Sequence, residues 1–210
     1  MYYTRLLVPD IRLKKCYVHW IKVKELISAG MWNSISRLSQ VLSDGLDLVI
    51  TNIWISAYLM GELSIAQQIP TYISTLTNTL INLFSPNLTM YYAKDDTEAV
   101  VKELKLSMKF SSFFVNIIFC ILVIFGKYFM QLWVPNQDVN LIYSLLVVIM
   151  MSLLVSGVTT SLNNVFLVTN RLKVNSIFWL IISFTNVLLV FIFLNTTSLG
   201  IYAVAGVSKV

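Results

Sequence analysis

The sequence predicts an all-α fold, a polytopic bundle of transmembrane helices, from three observations. Apolar runs of near-bilayer length recur from residue 113 onward. Charged residues make up 12% of the chain and hydrophobic ones 57%, with a mean hydropathy of +0.77, whereas an ordinary soluble domain is about 25% charged. The basic residues are grouped so that they count the spans. At about 20 residues per crossing, 210 residues hold five complete spans and the start of a sixth.

Taken in order, residues 1–24 form a basic connector, and 25–210 form the transmembrane lobe. The connector is punctuated by charge and does not read as a secretory signal. The spans fall at about 26–53, 65–84, 108–128, 141–165 and 176–194, with a partial one over 200–210. The last three complete spans are plain in hydropathy; the first two are weakly apolar. Loop charge requires those two as well. Arg5, Arg12, Lys14, Lys15, Lys22 and Lys24 precede the first span, Lys94, Lys102, Lys105 and Lys109 precede the third, and Arg171 and Lys173 separate the fourth from the fifth. Twelve of fifteen basic residues share one side only if 65–84 crosses. The N-terminus is then cytoplasmic, and loops near 54–64, 126–140 and 195–200 lie outside. Trp133 and Tyr143 suit an interfacial aromatic belt. Residues 94–105 read as a short surface helix at the inner face, capped by Thr97 or by the Asp95-Asp96 pair. Both ends look cut, so the chain is expected to be a piece of a longer protein.

The net charge of +5 reports orientation, because no aromatic-basic recognition motif accompanies it and no nucleic-acid partner is expected. Cys16 and Cys120 are too few for a disulfide framework or metal site, and His19 is the single histidine. No metal and no cofactor is expected, and no catalytic constellation stands at workable spacing, so the chain does not read as an enzyme.

The informative feature is a polar stripe. Asn33, Arg37, Gln40, Asp44, Asp47 and Thr51 recur at helical steps and share one face of the first span. Charge inside a membrane is a functional-site signal. Gln67, Thr71, Ser74, Asn78 and Asn82 form a second stripe, with Thr75 beside it. Ser152, Ser156, Thr159 and Asn163 in the fourth span, and Ser183 and Asn186 in the fifth, suit hydrogen-bonded helix packing as well as a lumen. The first two stripes run nearly the bilayer thickness and point to a watery cavity. Arg37 and Asp44 are seven residues, about 10.5 Å, apart with Gln40 between them. They form either a self-neutralising pair or two binding groups. Asp47, beside Gly45 and the approaching loop, is expected to be wet. Pro70 marks either a kink or the true start of the second span.

Five segments in order resemble the second half of polysaccharide-type flippases, in the superfamily that also holds multidrug and toxin extruders. They are Lys24-Glu25-Leu26-Ile27-Ser28-Ala29-Gly30-Met31-Trp32-Asn33, Gly45-Leu46-Asp47-Leu48-Val49-Ile50, Ser85-Pro86-Asn87-Leu88-Thr89-Met90-Tyr91-Tyr92-Ala93, Leu132-Trp133-Val134-Pro135 and Ser198-Leu199-Gly200-Ile201-Tyr202-Ala203. The resemblance covers the chain from about residue 20 and implies one lobe of a two-lobed flippase. It implies a missing N-terminal half, a polyprenyl-pyrophosphate-linked oligosaccharide as substrate, and a place in O-antigen, lipopolysaccharide, capsule or exopolysaccharide assembly, beside polymerase machinery. The expected location is the cell membrane of a bacterium.

Chemistry then assigns roles. Arg37 suits a pyrophosphate, because its planar fork grips phosphate oxygens in pairs. Asn33, Gln40, Asn78 and Asn82 suit sugar hydroxyls, and Gln67, Thr71 and Asp44 line the same cavity, Asp44 either balancing Arg37 or carrying a coupling proton or sodium ion. Asp44 and Asp47 are the candidates for ion coupling. A multidrug or cation antiporter of the same superfamily is the competing reading, and a non-transporting membrane remnant is a third.

Overall fold

In a computed structural model, residues 19–169, 172–197 and 200–207 are described, and they are helical apart from short turns. Outside them lie Arg5, Arg12, Lys14, Lys15, Cys16, Arg171 and the Ser198-Leu199 pair, together with the Asp44 side chain. Helices α1 (Trp20–Trp54) and α2 (Ala57–Asn82) are joined at Ile55 and Ser56. Ser56 caps α2 by accepting the Leu59 amide at 3.1 Å. Helix α2 runs through Pro70, so this proline interrupts one backbone bond within a helix and does not begin one.

The short α3 (Ser85–Ala93) opens with Pro86 in its first turn, where a missing N–H costs nothing. Asp95 turns the chain with φ 56°, and Asp96 caps α4 (Thr97–Trp133) by accepting the Ala99 amide at 2.9 Å. The separate surface helix expected at 94–105 is therefore the first turns of one 37-residue helix. Nothing between Thr97 and Trp133 breaks helical geometry: no proline occurs there, and Gly126 is tolerated. Asp138 accepts the Asn140 and Leu141 amides, each at 3.1 Å, and starts α5 (Val139–Val168). Helices α6 (Leu172–Thr196) and α7 (Ile201–Val207) complete the described chain, the latter entered through Gly200 at φ 54°.

Among the described residues, three helices are long and apolar enough to cross a membrane: Thr97–Trp133, Val139–Phe166 and Lys173–Thr196. Helices α1 and α2, of 35 and 26 residues, reach about 52 and 39 Å and have the length alone.

Small residues hold the bundle together. Along the antiparallel α4–α5 seam, Ser111 donates to the Gly157 carbonyl at 2.8 Å and Ser107 lies 3.2 Å from Ser161. A Cβ on Gly157 would stand 3.2 Å from Val115 Cγ2, so glycine sets that approach. Nearer the other end, Tyr143 donates to the Val123 carbonyl at 2.7 Å. Helices α1 and α6 run parallel. Ser176 donates to the Trp32 carbonyl at 2.7 Å, Ser36 and Ser176 hydroxyls meet at 2.7 Å, and Ser183 reaches the Ser39 carbonyl at 3.4 Å. Trp54 stacks edge-on to Phe191 at 5.1 Å.

The core lies between α2 and α5, where Leu63, Ala66 and Ile73 meet Ile142, Leu145, Leu146, Ile149 and Met150. Large apolar residues of α4 and α6, Phe113 and Phe184 among them, face outward, as lipid-facing helices require.

Candidate functional site: polar faces of the first two helices

Helix α1 turns one side to α6 through Ser36 and Ser39 and leaves the next side open. Asn33 and Arg37 are exposed on that open side, and Gln40 is half-buried. Arg37 Nη1 donates to Gln40 Oε1 at 3.3 Å, which leaves the other guanidinium donors available to an anion. Asp47 and Thr51, further along, are buried, and Thr51 donates to the Asp47 carbonyl at 2.7 Å. Asp47 was expected to be wet and is 4% exposed instead. The helix continues one further turn beyond Thr51 and packs there, so no loop opens beside it.

Helix α2 shows the same division. Thr71, Thr75, Asn78 and Asn82 are exposed and Ser74 half-buried, whereas Gln67 is buried with its Nε2 lacking a hydrogen-bond partner. Gln67 thus faces the core side and is not part of the exposed face. Because α1 and α2 are antiparallel about one tight turn, residues equally far from the turn lie at about the same height. Asn33 is level with Asn78, Arg37 with Ser74, and Gln40 with Thr71. The polar faces are open away from the α1–α2 turn and closed toward it.

Sequence reasoning missed Glu62. It falls in a segment expected to be an exposed loop, yet it is 1% exposed, and one carboxylate oxygen accepts the Asp138 amide at 3.4 Å. The available signal was that no other charged side chain occurs between Asp47 and Lys94. The adjacent Tyr58 phenol has its pKa raised above 10.0, first by its hydrogen bond to Glu62, then by desolvation and by the negative charges of Glu62 and Asp138.

Of the further polar residues named from sequence, Ser152, Ser156 and Thr159 bond their own helix backbone. Helix-to-helix bonding in α5 falls to their neighbours Ser161 and Asn164, the latter donating to the Ile81 carbonyl at 3.5 Å. Among the described residues, no three His, Cys, Asp or Glu side chains gather as metal ligands would.

This arrangement of membrane-length helices resembles in fold one lobe of a MATE transporter. Over 96% of its length the chain superposes on 45% of a solved chain, the crystal structure of MATE in complex with MaL6, with a TM-score of 0.69 and 15% sequence identity. In sequence it is similar to the "Uncharacterized membrane protein EpsK" of Bacillus subtilis (strain 168), 24% identical over 203 residues. That match takes in 97% of this chain and 40% of EpsK, so the chain spans less than half the length of either protein. No family model matches the sequence.

Proposed function

We propose that the chain is the second lobe of a flippase that moves polyprenyl-pyrophosphate-linked oligosaccharide from the inner to the outer leaflet of a bacterial cell membrane, for polysaccharide assembly. The observation that carries this reading is Arg37, exposed at mid-helix between Asn33 and Gln40 on the polar face of a MATE-like lobe. A guanidinium there suits a phosphate oxygen, and the amides and hydroxyls around it suit sugar. The match to EpsK over nearly the whole chain supports a membrane protein of this architecture. The partners in this reading are the lipid-linked substrate, the bilayer, an N-terminal lobe and the polymerase machinery. The work is translocation, not covalent catalysis. Asp44 and Asp47 remain the candidates for ion coupling.

The test is export of lipid-linked oligosaccharide with Arg37→Ala and Arg37→Lys in the complete transporter. Both are expected to lose most transport at normal expression. Normal export by both removes the pyrophosphate role. One observation favours the antiporter reading: Asp47 and Glu62 give the lobe two buried acids, and buried acids suit cationic cargo. Uptake of a cationic dye into inverted vesicles, lost on Asp47→Asn, supports that reading against the first.

A further inference from the structure

The exposed face of α2 has a composition that Arg37 and the acids do not explain. From Leu63 to Ala93 the chain holds no charged residue. Within that stretch Thr71, Thr75, Asn78 and Asn82 make a continuous arc at helical spacing, all exposed. The hydroxyls of Thr71, Thr75 and Thr79 each donate backward, to the carbonyls of Gln67, Thr71 and Thr75 at 2.7, 2.9 and 2.9 Å. With their protons committed, these hydroxyls present acceptor lone pairs outward. The amides of Asn78 and Asn82 supply outward donors.

At the edge of the arc, beside Thr75 and Thr79, stands Tyr72, 67% exposed. It lies within one turn of the middle of α2 (Ala57–Asn82), away from the helix ends where an interfacial tyrosine belongs. Donors, acceptors and one aromatic face, without charge, match a sugar ring. Its hydroxyls need both kinds of hydrogen bond, and its C–H face packs on an aromatic ring.

We infer that the exposed face of α2 binds the glycan part of the substrate, that Tyr72 is the stacking platform, and that the sugar residues held there are neutral. The inference rests on the flippase reading and narrows its substrate class. On α2 a uronic or sialic acid brings a carboxylate that meets no cation, and Arg37, level with Ser74 on α1, is taken by the pyrophosphate in the flippase reading, so the mismatch discriminates against an acidic sugar.

The experiment is protection of a reporter cysteine by free oligosaccharides, in the chain as expressed in its membrane. Thr79→Cys is introduced with Cys16 and Cys120 changed to serine and Arg37 to glutamine, so that no guanidinium is open to an acidic probe, and its labelling by a small hydrophilic maleimide is timed. Two probes of equal length are compared, a tetramer of N-acetylglucosamine and a tetramer of galacturonate. The cysteine is expected to label, and the neutral tetramer to slow labelling at about tenfold lower concentration than the acidic one. Tyr72→Ala is expected to raise the protecting concentration about tenfold, and Tyr72→Phe to restore it. Equal protection by both tetramers, protection unaffected by Tyr72→Ala, or a cysteine occluded by another helix from the outset each overturns the inference. The probes carry neither lipid nor pyrophosphate. Failure here with Arg37-dependent export intact removes only the glycan assignment, while protection by a complete transporter that exports no lipid-linked oligosaccharide removes only the flippase reading.

Discussion

Replacing Gly157 with leucine tests whether the α4–α5 seam is set by close approach. A Cβ there meets Val115 Cγ2 at 3.2 Å, Val115 Cβ at 3.6 Å and Cγ1 at 4.0 Å, so even alanine needs Val115 to give by a few tenths of an ångström. Leucine adds three more carbons to a contact with no free volume. Overpacking of this kind costs about 1–3 kcal/mol. Forcing the helices apart also lengthens the Ser111 bond to the Gly157 carbonyl, and a bond of that type between membrane helices averages about 0.6 kcal/mol. The expected loss is about 2–3 kcal/mol. Val115→Ala on its own leaves a cavity, but combined with Gly157→Leu it makes room, so the pair is expected to be non-additive by about 1 kcal/mol or more. Reversible unfolding in detergent, followed for the parent, both single variants and the double, reads all four corners of the cycle. A Gly157→Leu effect within about 0.5 kcal/mol of zero, or strict additivity with Val115→Ala, refutes the reasoning.

Other outcomes follow from the same geometry. A cysteine at Asn136 is expected to label from outside intact cells and one at Asp96 only after permeabilisation, and the reverse pattern inverts the topology. Ultraviolet titration is expected to show Tyr58 ionising above the ordinary 10.0, with Glu62→Gln bringing it back toward that value. The sign follows from charge: a carboxylate that accepts the phenol proton favours the neutral phenol, so removing its charge lowers the pKa. An unchanged Tyr58 titration in Glu62→Gln breaks the link between them.

Hydropathy located the helices well because a long apolar run has few alternatives. It located α1 and α2 less directly, through loop charge and through stripes whose spacing fits only a helix. Periodicity reports which residues share a face but not what that face meets. Asn33, Arg37 and Ser36 occupy nearly the same part of α1, yet Ser36 meets Ser176 while Asn33 and Arg37 stay open. The partner lies 140 residues away, beyond any local pattern. Glu62 was assigned to a loop for the same reason: its burial depends on the α4–α5 turn, which supplies the Asp138 amide. The unbroken α4 was masked by its charged first turns, which hydropathy separates from the apolar remainder although the backbone does not.

The parallel seam between α1 and α6 sets a constraint on biosynthesis. Ser36 and Ser39 face their partners only after Ser176 and Ser183 have been made, more than a hundred residues later. At about 5–20 residues per second, α1 waits roughly 7–30 s in the bilayer before that pairing can form. During the interval its hydroxyls are limited to their own backbone, as Ser39 already is to Ile35. A nascent chain that stalls before residue 176 therefore leaves the Ser36 and Ser39 side of α1 uncovered.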